Sequence, residues 1–233
     1  LRKGDLTQGG ITTTLLQFTL PMLAGSPLQQ CYNIADTLIV GQCIGANALA
    51  AVGSAYTLMV FLISILLGLS MGSGTVFSLQ YGAGDLSALR RSIYVSLLLI
   101  GTVTILLNVA VFLWLDPILR WLQVPYDIYP LMRNYLWIIF WGIVFTFLYN
   151  FYAALLRAVG DSVTPLWFLA VSVVLNIGLD LFLILVLDQG IEGAAVATVI
   201  AQGTAASGIL LYTYKIRPEL RLHREDMRFD RSS

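Results

Sequence analysis

The sequence predicts an all-α polytopic membrane protein, a bundle of six transmembrane helices. Three observations lead there. Of 233 residues, 58% are hydrophobic and 11% are charged, where a soluble domain carries about 25% charged residues. Six stretches are apolar over the roughly 20 residues that a bilayer crossing needs. The charges fall almost entirely between those stretches.

The spans are read at 12–40, 47–80, 92–114, 131–156, 163–187 and 191–214. Span one contains Pro21 and Pro27, either of which can kink a helix and free a backbone carbonyl. Span two is long enough to tilt or to leave the bilayer on the cytoplasmic side. It carries the small-residue row Ser64, Gly68, Gly72, and span six carries another, Gly193, Ala197, Ala201, Ala205. Such rows let helices approach closely in lipid. The connections are a neutral turn at 41–47, GAGD with Arg90 and Arg91, and a proline-rich loop at 115–130. They continue with RAVGDS at 157–162 and DQGIE at 188–192. Residues 215–233 read as a charged cytoplasmic linker.

Charge sets the orientation. With a cytoplasmic N-terminus, eleven of thirteen basic residues lie inside and only Arg120 and Arg133 lie outside, as the positive-inside rule requires. Both ends are therefore expected in the cytoplasm of a plasma (inner) membrane protein. The formal net charge of zero gives no pull toward nucleic acid. Cys31 and Cys43 are about 18 Å apart on one helix, too far for a disulfide. The sole histidine is His223, so no Cys/His metal spacing exists. The basic start, Arg2 and Lys3, runs into an apolar segment too long for a cleavable signal.

Eleven of the thirteen acidic residues lie in loops or tails; Asp36 and Asp180 do not. A carboxylate within a span is costly and marks a functional site by default. At about 1.5 Å per residue, Asp36, Asp180 and Thr198 fall at similar depth in the outer half of spans one, five and six. Tyr135 lies just inside the outer end of span four. Asn176 and Asp180 are i, i+4 and share a face, as do Thr198 and Gln202. Asn33 and Asp36 are i, i+3, with Gln29 one turn earlier. The set offers carboxylate, amide and hydroxyl oxygens, which suit a hard cation such as Na⁺. It equally suits a proton, because two close carboxylates cannot both ionise cheaply. The expected site is Asp36, Asn176, Asp180 and Thr198, with Asn33 and Gln202 in support. Tyr32 in span one and Tyr135 and Tyr149 in span four add aromatic faces that could line a site.

At these residues the sequence resembles the multidrug and toxic compound extrusion (MATE) family. The resemblance rests on LPMLAGSPLQQCYNIADTLIVGQCIGANALAAVG, GLSMGSGTVFSLQYGAGD and YNFYAALLRAVGDSVTP. It continues in VLNIGLDLFLI and GIEGAAVATVIAQ, and so covers essentially the whole chain. It implies one six-helix lobe of a twelve-helix transporter whose two lobes face a central cavity. It also implies export of cationic amphipathic drugs in exchange for Na⁺ or H⁺, with no cofactor and no enzyme activity. The family's coupling residues fall on Asp36, Asn176, Asp180 and Thr198. Its helix-four network residues fall on Tyr135 and Asn150, and the proline about which helix one bends falls on Pro21. Two membrane aspartates resemble the prokaryotic DinF-like branch. Ala153 stands where some relatives have a second helix-four asparagine. Since one lobe is present, the chain is expected to be a fragment that pairs with a C-terminal lobe.

Three other functions are weighed. A lipid-linked oligosaccharide flippase shares the architecture but needs deep basic residues, and none lies deep in a span. An intramembrane aspartyl protease would need its YD and GxGD aspartates to meet within the membrane. Here Tyr126-Asp127 and Gly82–Asp85 fall in loops on opposite sides. A non-transporting scaffold leaves Asp36 and Asp180 without purpose.

Overall fold

A computed structural model describes residues 11–222. Basic residues Arg2 and Lys3, and the expected linker beyond Leu222, lie outside the described residues. Among the described residues the chain forms helices and turns only. They are α1 Ile11–Cys43, α2 Ala46–Gly82, α3 Leu86–Trp121, α4 Tyr129–Trp141, α5 Ile143–Ala158, α6 Val163–Leu181 and α7 Gly190–Ile216. A π-helical segment, Phe182–Val186, extends α6, and a 3₁₀ turn, Pro218–Leu220, follows α7.

The local signals account for the boundaries. Asp85 of GAGD caps α3, accepting from the Ala88 N–H at 2.9 Å. Asp161 of RAVGDS accepts the Thr164 N–H at 3.0 Å and its hydroxyl at 2.8 Å, opening α6. α3 runs past the expected span end but kinks at Trp114, where φ is −112° and ψ is 16°. Pro117 lies three residues on; it has no N–H and its ring crowds the preceding turn. α1 is one helix through Pro21 and Pro27.

The structure refines three expectations. Span four is not one helix: α4 and α5 meet at Gly142 with a 46° bend. Four described helices are long and apolar enough to cross a membrane, or five with the bent pair as one span. α1 has the length but is interrupted by Gln17, Gln29, Gln30, Asn33 and Asp36, so six spans are not all apolar. Third, part of the expected linker is packed against the bundle. Arg217 is buried, paired with Asp161 at 3.5 Å and Glu219 at 3.2 Å, and Leu220 is buried beside them.

Packing sorts the helices. α6 lies along α7 and α1, and α5 lies along α2 and α7. Phe77 and Phe151 meet edge-on at 5.9 Å between α2 and α5. The outward faces are apolar and exposed, as at Leu79, Leu113, Trp167 and Val174, the surface that a bundle presents to lipid. The two small-residue rows part company. Gly193 packs against Leu183, and Ala197, Ala201 and Ala205 are buried. Gly68 and Gly72 have open space where a side chain would begin, so among the described residues these two glycines meet no other helix.

Near the α3–α4 connection Asp116 accepts from Arg133 Nε and from the Tyr129 hydroxyl, each at 2.8 Å. The Arg133 hydrogen bond, then that of Tyr129, holds the Asp116 carboxyl below the usual carboxylate range. A carboxyl lowered in the folded state adds stability above its unfolded value, about pH 4, and loses it as pH falls through the lower folded value. Both partners are solvent-exposed, so the effect is small. Asp116→Asn is expected to lower the melting temperature slightly at pH 7, and by progressively less as the pH falls below about 4. A difference that persists unchanged in acid would rule out the ion pair as its source.

Candidate functional site

The i, i+4 spacing on α6 brings Asn176 and Asp180 to the face that packs against α7 and α1. Both are fully buried, with Thr198 of α7 and Asp36 of α1 nearly so. With its amide turned to satisfy both ends, Asn176 donates from Nδ2 to Asp180 Oδ2 at 3.0 Å. Its oxygen then accepts from the Thr198 hydroxyl at 3.3 Å. The Thr198 hydroxyl has one proton, now used, so the Tyr32 hydroxyl donates to Thr198 Oγ1 at 3.2 Å. A directional chain runs Tyr32 → Thr198 → Asn176 → Asp180, across three helices.

The chain ends at a carboxyl pair. Asp36 and Asp180 face each other within hydrogen-bonding reach. Asp36 Oδ1 and Asp180 Oδ1 are buried and accept no hydrogen bond. A buried acceptor without a donor carries a desolvation cost of about 1–3 kcal/mol. Two neighbouring carboxyl groups, each with such an oxygen, fit a hard cation or a shared proton, and the amide and hydroxyl oxygens beside them are of the same class.

Asp36 and Thr198 also form part of the wall of a cavity of about 520 Å³, open on one side. α1 contributes Tyr32 and Asn33 to that wall, and α2 contributes Tyr56, 3.5 Å from the Asn33 amide. Tyr135 of α4, Asn150 of α5 and Gln202 of α7 complete it. All of the expected supporting residues therefore reach one cavity. Asn176 and Asp180 stand behind its wall, and Pro21 lies away from it. No Lys or Arg is among the cavity-lining residues.

This arrangement can be set beside known proteins. The family profile described as MatE matches residues 21–182 of the chain. The chain belongs to the MatE family. Among similar proteins, the MatE chain is 38% identical over 211 residues to "Probable multidrug resistance protein YpnP" of Bacillus subtilis. That alignment covers 91% of this chain and 47% of the relative. It is 31% identical over 209 residues to "Multidrug export protein MepA" of Staphylococcus aureus, covering 86% and 45%. A solved outward-facing multidrug resistance MATE family transporter of the MOP superfamily superposes with a TM-score of 0.91. There the identity is 23%, over 99% of this chain and 51% of that one. The MatE chain thus spans about half the length of the curated relatives it matches, and its fold is one lobe of that solved structure.

Within the MatE lobe the three tyrosines singled out from sequence part ways. Tyr32 and Tyr135 line the cavity, but Tyr149 does not. Its hydroxyl donates to the Pro165 carbonyl at 2.8 Å, beside a smaller pocket of about 90 Å³. Tyr56 and Thr146 reach the main cavity without having been expected. Thr146 was legible as i, i−4 to Asn150, whose Nδ2 donates to the Thr146 carbonyl at 2.8 Å.

Proposed function

We propose that this MatE chain forms one lobe of a secondary active exporter, which expels cationic amphipathic drugs or other xenobiotics in exchange for Na⁺ or H⁺. The observation that carries the reading is the buried pair Asp36–Asp180, with an unpartnered oxygen on each; Asp36 lines a cavity walled by tyrosines and amides, and Asp180 stands directly behind that wall.

The chemistry follows from that pair. In a site removed from water, two facing carboxyls hold a proton or a metal cation between them. An organic cation in the cavity is drawn by the Asp36 charge and by the faces of Tyr32, Tyr56 and Tyr135. Neutralising the pair removes that attraction, so ion and drug compete, and competition gives the two ligands opposite preferences between states. The route of the change is α1. Its inner part is tied by the Ser162 hydroxyl to the Phe18 carbonyl at 2.9 Å. Pro21, just beyond, has no N–H to donate to the Gln17 carbonyl, which leaves a soft point. Ion binding at Asp36 then acts on the part of α1 beyond Pro21. A second lobe facing the open side of the cavity completes the pathway, with substrate bound at the lobe interface. In this reading the protein sits in the plasma membrane with both ends of the lobe in the cytoplasm.

The wall without Lys or Arg favours a cationic substrate over the pyrophosphate of a lipid-linked sugar. The test is ion-driven release. Nanodisc-held protein is loaded with labelled tetraphenylphosphonium, then challenged with NaCl against choline chloride, and separately with acid. Release by one of the two is expected, and it identifies the coupling ion. No response to either sinks antiport.

A further inference from the structure

The cavity takes its wall from both halves of the broken span. α4 supplies Tyr135, while α5 supplies Thr146 and Asn150. The 46° angle between them therefore sets where Tyr135 stands relative to the amides opposite. The backbone alone does not fix this angle. Gly142 has φ −82° and ψ −9°, a displacement of only about 30° in ψ from an ordinary helical residue. Its N–H bonds three residues back, to Ile139 O at 2.9 Å, in a tightened turn. Such a junction straightens easily unless its neighbours hold it.

Two neighbours do. On the α7 side the contact is steric and polar together. A methyl group at Gly142 would lie 2.9 Å from Val199 Cγ2 and 3.3 Å from Gln202 Oε1. The Thr146 hydroxyl donates to that same Gln202 oxygen at 2.7 Å. α3 reaches the junction as well. Asn108 sends its Nδ2 to the Phe140 carbonyl at 2.6 Å, two residues before the junction. Asn108 is buried on the stripe formed by Ile100, Thr104, Val111 and Leu115. A primary amide on such a stripe is costly unless bonded, and leucine would fill the same space. A side chain inserted at a helix carbonyl is also one of the few causes of a sharp kink.

We infer that Asn108 is a positioning residue for the cavity: its bond to the Phe140 carbonyl holds the α4–α5 angle and so fixes the place of Tyr135 against a bound organic cation. The substrate class in this statement rests on the proposed function; the angle does not.

The experiment separates the two. Spin labels go on cysteines at Pro130 and Ala158, at the far ends of α4 and α5, with Cys31→Ser and Cys43→Ser as background. Straightening a 46° bend between helices of these lengths moves the labels apart by about 3 Å. Asn108→Leu is expected to lengthen or broaden that distance, and Asn108→Gln, which keeps the donor, to restore it. In transport assays Asn108→Leu is expected to raise KM for tetraphenylphosphonium by about fivefold or more with Vmax little changed, because misplacement by about 1 Å is felt at such sites. Asn108→Ser, short of Phe140 and readily folded, is expected to behave like the leucine variant if that one does not express. An unchanged label distance overturns the inference. So does a fall in Vmax at constant KM, the signature of a merely destabilised protein. If neither Na⁺ nor acid drives release in the parent, the proposed function fails and the label distance still decides the role of Asn108.

Discussion

Asp180→Asn is expected to abolish ion-driven release of tetraphenylphosphonium while leaving a folded protein. The substitution is nearly isosteric. The new carbonyl oxygen still accepts from the Asn176 Nδ2 that now reaches Asp180 Oδ2 at 3.0 Å, so the chain from Tyr32 stays closed. What disappears is the charge that answers a cation or proton at the position where Asp36 Oδ1 and Asp180 Oδ1 stand without donors. Asp36→Asn is expected to have the same effect on coupling and a larger effect on drug binding, because Asp36 alone of the pair lines the cavity. Asp180→Leu differs in kind. It leaves the Asn176 amide buried without an acceptor, at a cost of about 1–3 kcal/mol, and is expected to lower thermal stability as well. Release and melting measured on the same preparations separate charge from packing. Coupling retained in both asparagine variants would remove the carboxyl pair from the mechanism.

The sequence made the carboxyl pair visible because the rest of the apolar spans made it anomalous. Helix ends lie within three residues of the expected span ends for five spans, for the same reason: charges, prolines and glycines gather where apolar runs stop. α3 instead overruns its span by six residues at one end and seven at the other. Asp85 and Asp161 show the converse, since acids outside the spans turned out to be caps. The break at Gly142 was hidden. It sits in an aromatic run with no proline, its dihedrals are close to helical, and its angle is held by Asn108 and Gln202 from other helices. Asn108 was hidden too, because an amide in an apolar span looks alike whether it faces a ligand or a carbonyl. The fates of Tyr32 and Tyr149 depended on how each helix is rotated within the bundle. Arg217 read as tail because its partner, Asp161, is 56 residues away.

Gly208→Val is expected to be among the most damaging single substitutions outside the site. Gly208 lies where α7 meets α6, and a Cβ there would sit 2.6 Å from Phe168 Cε1 and 3.0 Å from its Cδ1. Phe168 cannot easily yield, since its ring is set edge-on against Tyr212 at 6.1 Å. The helices must then move apart. In lipid no hydrophobic force draws them back, and association depends on close van der Waals contact. One methyl group, in Gly208→Ala, is expected to cost about 1–3 kcal/mol as overpacking, or roughly 2–12 °C in a chain of this size; valine costs more. Gly68→Ala is the control, because nothing lies within 4 Å of a methyl group there. It should melt like the parent or slightly higher, as alanine favours a helix over glycine. The damage should also reach the site. α6 carries Asn176 and Asp180 and α7 carries Thr198, so parting them by a few tenths of an ångström stretches contacts already at 3.3 Å. Phe168→Leu is expected to relieve Gly208→Ala in the double variant, the non-additivity expected of residues in contact. Additive effects, or a Gly208→Ala protein that melts with the parent, would mean that the α6–α7 crossing relaxes freely and does not hold the carboxyl pair in place.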